Sequence, residues 1–129
     1  MAWKTPENLK YTQNDEWFDA DTGRMGITDY AQDQLSDVVY VEFLVEVGDE
    51  VQKGDSVATV ESVKAAADVY APVSGRVVEI NTELTDNPEW VNEDPYGKAW
   101  MIRLEPTNPE ELDELMDAEA YAQYCEERE

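Results

Sequence analysis

Val60-Glu61-Ser62-Val63-Lys64-Ala65-Ala66-Ala67-Asp68-Val69 sets one lysine among small and apolar residues, midway between two β-forming runs. Residues 57–61 on one side and 69–71 on the other are rich in the side chains that suit a pleated, half-buried backbone. Together they predict a hairpin with Lys64 at its turn. Lysine is scarce in this chain: Lys4, Lys10, Lys53, Lys64 and Lys98 are all that occur in 129 residues. An arbitrary turn lysine is most simply a solvated charge. An amine at a hairpin tip is also within reach of a modifying enzyme, and it can carry a long flexible arm. Residue chemistry alone favours the first reading over the second.

Outward from the lysine, the chain repeats itself weakly. Lys53-Gly54-Asp55-Ser56-Val57 and Ser74-Gly75-Arg76-Val77-Val78 each place a valine three residues after a glycine, and the glycines flank Lys64 at ten and eleven residues. Two copies are too few for a solenoid but suit two related halves meeting at a central hairpin. Gly48-Asp49, Lys53-Gly54-Asp55 and Ser74-Gly75 read as turns in which glycine supplies positive φ. Between and beyond them lie further β-runs at residues 38–43, 76–81 and 100–104. Short strands at such close spacing predict a mainly β fold, a sandwich or flattened barrel. Two helices complete the reading. Thr28-Asp29 caps a short one over residues 30–35, with Ala31 and Leu35 one turn apart. Asn108 reads as the N-cap of a C-terminal one, with Pro109 first in the helix and Glu110 and Glu111 at the positive end of its dipole. Leu112, Leu115 and Met116 form one apolar stripe there, and Tyr121 and Tyr124 another; both are expected on the sheets. The length fits one domain, 1–129, with a core about 24–104 and a C-terminal helical segment 108–125.

Composition bounds the function. Nine basic residues stand against 31 acidic ones, a formal charge of −22, and histidine is absent. With 42% hydrophobic residues, 4 Trp and 7 Tyr, the chain can build a core and is no acidic disordered tail. Its charge repels nucleic acid and anionic lipid, which argues against both as partners. Without histidine, the usual Ser-His-Asp or Cys-His hydrolase and the commonest metal ligand are missing, and no metal site is expected. The acidic residues spread along the chain, and only residues 110–129 approach a cluster. That pattern suits a halophilic cytoplasm, where salt near 1 M cuts the Debye length to roughly 3 Å. The single Cys125, among carboxylates that disfavour a thiolate, fits a reducing compartment and a packing role. No run approaches a membrane span or a signal core.

Four motifs now carry a resemblance. Gly26-Ile27-Thr28-Asp29-Tyr30-Ala31-Gln32, Glu61-Ser62-Val63-Lys64-Ala65, Pro72-Val73-Ser74-Gly75 and Asn92-Glu93-Asp94-Pro95-Tyr96-Gly97 resemble the H protein of the glycine cleavage system, in that family's order and spacing, across about residues 11–124. The resemblance implies a lipoyl-domain-like core (a barrel-sandwich hybrid) of two antiparallel sheets and a carrier that is not itself an enzyme. Lys64 matches the lipoylated lysine. The implied partners are a pyridoxal-phosphate glycine decarboxylase, an aminomethyltransferase, a dihydrolipoyl dehydrogenase and a lipoate-attaching enzyme. The decarboxylase loads an aminomethyl group onto the lipoyl arm, and the aminomethyltransferase passes its carbon to tetrahydrofolate. The dehydrogenase then restores the disulfide.

In the family the loaded arm folds into a cleft where its amine meets acidic groups. By position these are Glu16 and Asp68, with Asn14 beside Glu16. A protonated amine held by carboxylates makes charge-assisted hydrogen bonds and is sheltered from water; the bland alternative is two more surface charges among 31. The chain departs from the family in four places: Asp15 replaces the usual histidine, Asn14 a small hydroxyl residue, Ala67 the serine before Asp68, and Ser36 the glycine before Asp37. Other carriers fit less well. A free-standing lipoyl domain of a 2-oxoacid dehydrogenase usually has aspartate before its lysine, where Val63 stands here. A biotin carrier usually sets its lysine between methionines. A lipoyl donor that relays the group to other complexes would use the same residues.

Overall fold

The computed structural model describes residues 3–128. Among these residues nine strands form two antiparallel sheets, the architecture that the resemblance implies. One sheet has three strands: β4 (Val38–Phe43), β6 (Ser56–Ser62) and β7 (Ala66–Tyr70), in the order β4-β6-β7. The other has six. They are β1 (Lys10–Tyr11), β2 (Glu16–Phe18), β3 (Arg24–Ile27), β5 (Glu50–Val51), β8 (Gly75–Ile80) and β9 (Ile102–Pro106), ordered β1-β2-β3-β9-β8-β5. Phe18, Met25, Val41, Val57, Val77 and Leu104 are among the side chains buried between the sheets. Strands β1, β2, β3 and β5 are two to four residues long. That is too short to show a period of two, and the sequence pattern does not reveal them.

The central hairpin expected around Lys64 is present. Register runs outward from the turn almost unbroken, Glu61 opposite Ala66, Ser56 opposite Tyr70, and then Val51 opposite Gly75. One long hairpin therefore starts in the three-stranded sheet and ends in the six-stranded one. It turns the corner where Gly54 N–H donates to Ala71 C=O (2.9 Å) and Ala71 N–H to Asp55 C=O (2.8 Å). Gly54 has φ +92° there, as its turn requires. Gly75 is different. It opens β8 rather than making a turn, and glycine is needed because a Cβ would lie 2.6 Å from the Glu105 carbonyl oxygen.

Helix α1 (Asp29–Leu35) starts as expected, with the Thr28 hydroxyl accepting from Ala31 N–H. Two single-turn helices, α2 (Glu83–Asp86) and α3 (Trp90–Glu93), lie within the connection to β9. The C-terminal segment departs from the single helix expected. Pro109–Glu114 is a 3₁₀ helix without a side-chain cap from Asn108, and a separate helix α4 (Ala118–Glu127) follows, capped by Asp117. The break is long-range in origin: Tyr11 and Met116 exchange backbone hydrogen bonds at 2.9 and 2.8 Å, which holds Met116 extended. Leu112 and Leu115 pack on the main core as expected. Met116 and Tyr124 instead join a second, aromatic core of Leu9, Tyr11, Trp17, Tyr30, Tyr121 and the buried Cys125.

Candidate functional site

Lys64 stands exposed at the β6–β7 turn. Ser62 shapes that turn: its Oγ accepts from Ala65 N–H (3.0 Å) and Lys64 N–H (3.3 Å), and its N–H donates to Ala65 C=O (2.7 Å). Val63 N–H donates to the Asp37 carbonyl (3.2 Å), which ties the turn to the start of β4. Val63 is 71% exposed and alanines follow at 65–67, so nothing bulky crowds the lysine. The backbone is fixed, and among the described residues the amine has no ion-pair partner.

Glu16 is the opposite kind of residue. It is 1% exposed, although it carries a carboxyl group. Alternation along β2 turns Glu16 and Phe18 to one side of the sheet and Trp17 to the other, into the aromatic core. The Thr12 hydroxyl donates to its Oε1 (2.5 Å), and Tyr70 N–H on β7 donates to its Oε2 (3.1 Å). Burial pushes its carboxyl up to about 7, and the neighbouring Asp15 charge adds to that, while the bonds from Thr12 and Tyr70 pull it down.

Glu16 and Asn14 line one cavity of about 300 Å³, together with Thr12, Ala71, Lys53 and Glu114. Lys53 Nζ meets Glu114 Oε1 at 2.7 Å in its wall. Asp68 does not line this cavity. It is exposed on β7, opposite Thr59 and two residues before the Tyr70 amide that holds Glu16. At a strand rise of about 3.3 Å per residue, Asp68 lies about 7 Å along β7 from Ala66, the first strand residue after the turn that carries Lys64. An arm rooted at Lys64 and laid along that strand would pass Asp68 on its way to Glu16.

Thr12, Lys53 and Glu114 are site residues that sequence reasoning misses. Thr12 has a local signal, a hydroxyl four residues before Glu16; the other two are brought in by the fold. Asp15 forms a two-pronged ion pair with Arg128, Nη2 to Oδ1 at 2.6 Å and Nη1 to Oδ2 at 3.1 Å.

Fold and site together define a class: a small two-sheet domain that presents a lysine on a rigid hairpin, with a recessed carboxylate from the other sheet bonded to the hairpin's second strand. The comparisons with known proteins say which. The family described as glycine cleavage H-protein matches residues 9–128. The glycine cleavage system H protein of Carboxydothermus hydrogenoformans is 55% identical over 124 residues, 95% of each chain. That of Thermus thermophilus is 55% identical over 123 residues, covering 94% of this chain and 95% of its own. The crystal structure of the H protein from Mycobacterium marinum superposes with a TM-score of 0.84 at 38% identity, covering 92% of this chain and 97% of that one. The chain belongs to the glycine cleavage H-protein family.

Proposed function

We propose that this protein is the lipoylated carrier of glycine cleavage, with lipoate held in amide linkage on Lys64 and no catalysis of its own. The observation that carries the reading is an unobstructed lysine on a rigid turn in a chain of this family. Bound there, the group supplies a dithiolane whose opened sulfur takes up the aminomethyl unit and, once reduced, is reoxidised. The chain's own residues do the rest. Lys64 roots the arm, and the Ser62 turn keeps that root clear of the surface. Glu16, with Asn14 beside it, receives the carried amine in the cavity, and Asp68 lies along the route. An ammonium entering the cavity finds a carboxylate whose water has already been removed, so the ion pair is strong and the amine is kept from solvent.

The glycine decarboxylase, aminomethyltransferase, dihydrolipoyl dehydrogenase and lipoate-attaching enzyme are then its partners, in the cytoplasm. Among the described residues no helix is long and apolar enough to cross a membrane. The −22 charge, spread over the chain, supports a high-salt host. The test is Lys64→Arg. It should fold normally and carry nothing, because a guanidinium is no substrate for amide formation. Carrier activity retained by that variant would overturn the assignment.

A further inference from the structure

The turn that bears Glu16 is gripped by the far end of the chain. Arg128, just beyond α4, makes the two-pronged pair with Asp15, the residue next to Glu16. Its guanidinium is sandwiched between the rings of Tyr30 (4.2 Å) and Tyr124 (3.9 Å), and its Nη2 lies 3.6 Å from Cys125 Sγ. Asp15 is also held by the Tyr121 hydroxyl (2.8 Å to Oδ1), itself 2.6 Å from the Thr28 hydroxyl. On the other flank of the turn, the Tyr124 hydroxyl donates to the Gln13 carbonyl (3.1 Å). Asp15 has φ +68°, a backbone state that a non-glycine residue keeps only when its surroundings impose it. All of these contacts converge on one short turn, residues 12–16. The same turn carries the Thr12 hydroxyl and the Glu16 carboxylate into the cavity.

We propose that Arg128 is a positioning residue for the carried amine: through Asp15 it fixes the turn that presents Glu16 to the cavity. Among the described residues, removing the guanidinium leaves the Asp15 carboxylate with the Tyr121 hydroxyl, and its positive φ is then held by two backbone bonds, Asp15 N–H to Thr12 C=O (3.2 Å) and Thr28 N–H to Asp15 C=O (3.0 Å). Glu16, one residue on, loses its register with the Tyr70 amide. This inference rests on the reading of Glu16 as the amine's partner.

The test uses the full, lipoylated chain and two readouts. The first is hydrogen exchange at the Tyr70 amide in the unloaded protein, which reports the bond to Glu16 without any cargo. The second is loss of the carried unit to water. Water takes its carbon as formaldehyde and its nitrogen as ammonia, the sulfur leaves as the thiol, and the formaldehyde is measured. Arg128→Gln should speed Tyr70 exchange about tenfold, the loss of roughly one charge-assisted hydrogen bond, and leave the amides of the central strand β6 unchanged. It should speed release about tenfold in the wild-type background and no further in a Glu16→Gln background, because Arg128 acts through Glu16. Equal acceleration in both backgrounds, or unchanged Tyr70 exchange, overturns the proposal. If Arg128→Gln does not fold, Asp15→Asn takes its place with the same expectations, since asparagine tolerates positive φ and still accepts from Tyr121. Should Glu16→Gln itself release no faster than wild type, the reading of Glu16 as the amine's partner fails, and Tyr70 exchange alone then decides whether Arg128 positions it.

Discussion

Glu16 is a carboxyl group in a place where ionisation is costly, and that cost has a sign. Its pKa in the folded chain is about 7, against an ordinary 4.5. The folded state therefore holds the proton more tightly than the unfolded state does. Stability from this group is full below about 4.5 and is lost as pH rises toward 7. Glu16→Gln should raise stability at pH 8 by up to about 3 kcal/mol, and by almost nothing at pH 4.5. Urea melts at the two pH values check it, and equal changes at both would mean that Glu16 titrates as an ordinary surface acid. The same substitution should release the carried amine faster, so that a residue costly to the empty protein is useful to the loaded one. Ser36 makes a second case. It sits at φ +66°, ψ −147° at the end of α1, where glycine is at home. Ser36→Gly should gain about 1 kcal/mol. A loss on thermal melting would show that the Ser36 side chain stabilises the fold in a way the backbone argument misses.

The hairpin is legible in the amino-acid sequence because everything that makes it is local. β-forming runs lie on either side, a serine that closes the turn lies two residues before Lys64, and near-equal spacing leads to the flanking glycines. Glu16 is legible only through resemblance. Its strand has three residues, and the amide that fixes its carboxylate belongs to Tyr70, 54 residues away. The broken C-terminal segment is hidden for the same reason, since its break is made by pairing with Tyr11. That segment is nevertheless part of the fold. Leu112 and Leu115 cover the main core, and Tyr121 stacks on Tyr11 with centroids 4.6 Å apart. A chain ending at Thr107 would expose both cores and leave the Tyr11 backbone unpaired. Its melting temperature should fall by well over 10 °C, at about 4 °C per kcal/mol for a chain of this size. A truncated chain that melts unchanged would assign the segment to a partner's surface instead.

Charge belongs to the molecule as a unit. Among the described residues, ion pairs such as Lys53–Glu114 and Arg103–Glu79 engage only a few of the 31 acidic side chains. Folding brings the rest together, so it should be least favourable at low ionic strength. Screening shortens each repulsion from about 30 Å at 0.01 M to about 3 Å at 1 M. Melting temperature should climb steeply with potassium chloride, with most of the gain at the lower concentrations. A flat profile would end the halophilic reading and leave the carrier assignment untouched.

That assignment stands on one amine. Peptide mass spectrometry of the protein isolated from its own host should find a single lipoyl amide, on Lys64, with Lys53 and Lys98 bare. A lipoyl group on either of those lysines, with Lys64 unmodified, would contradict the account at its root.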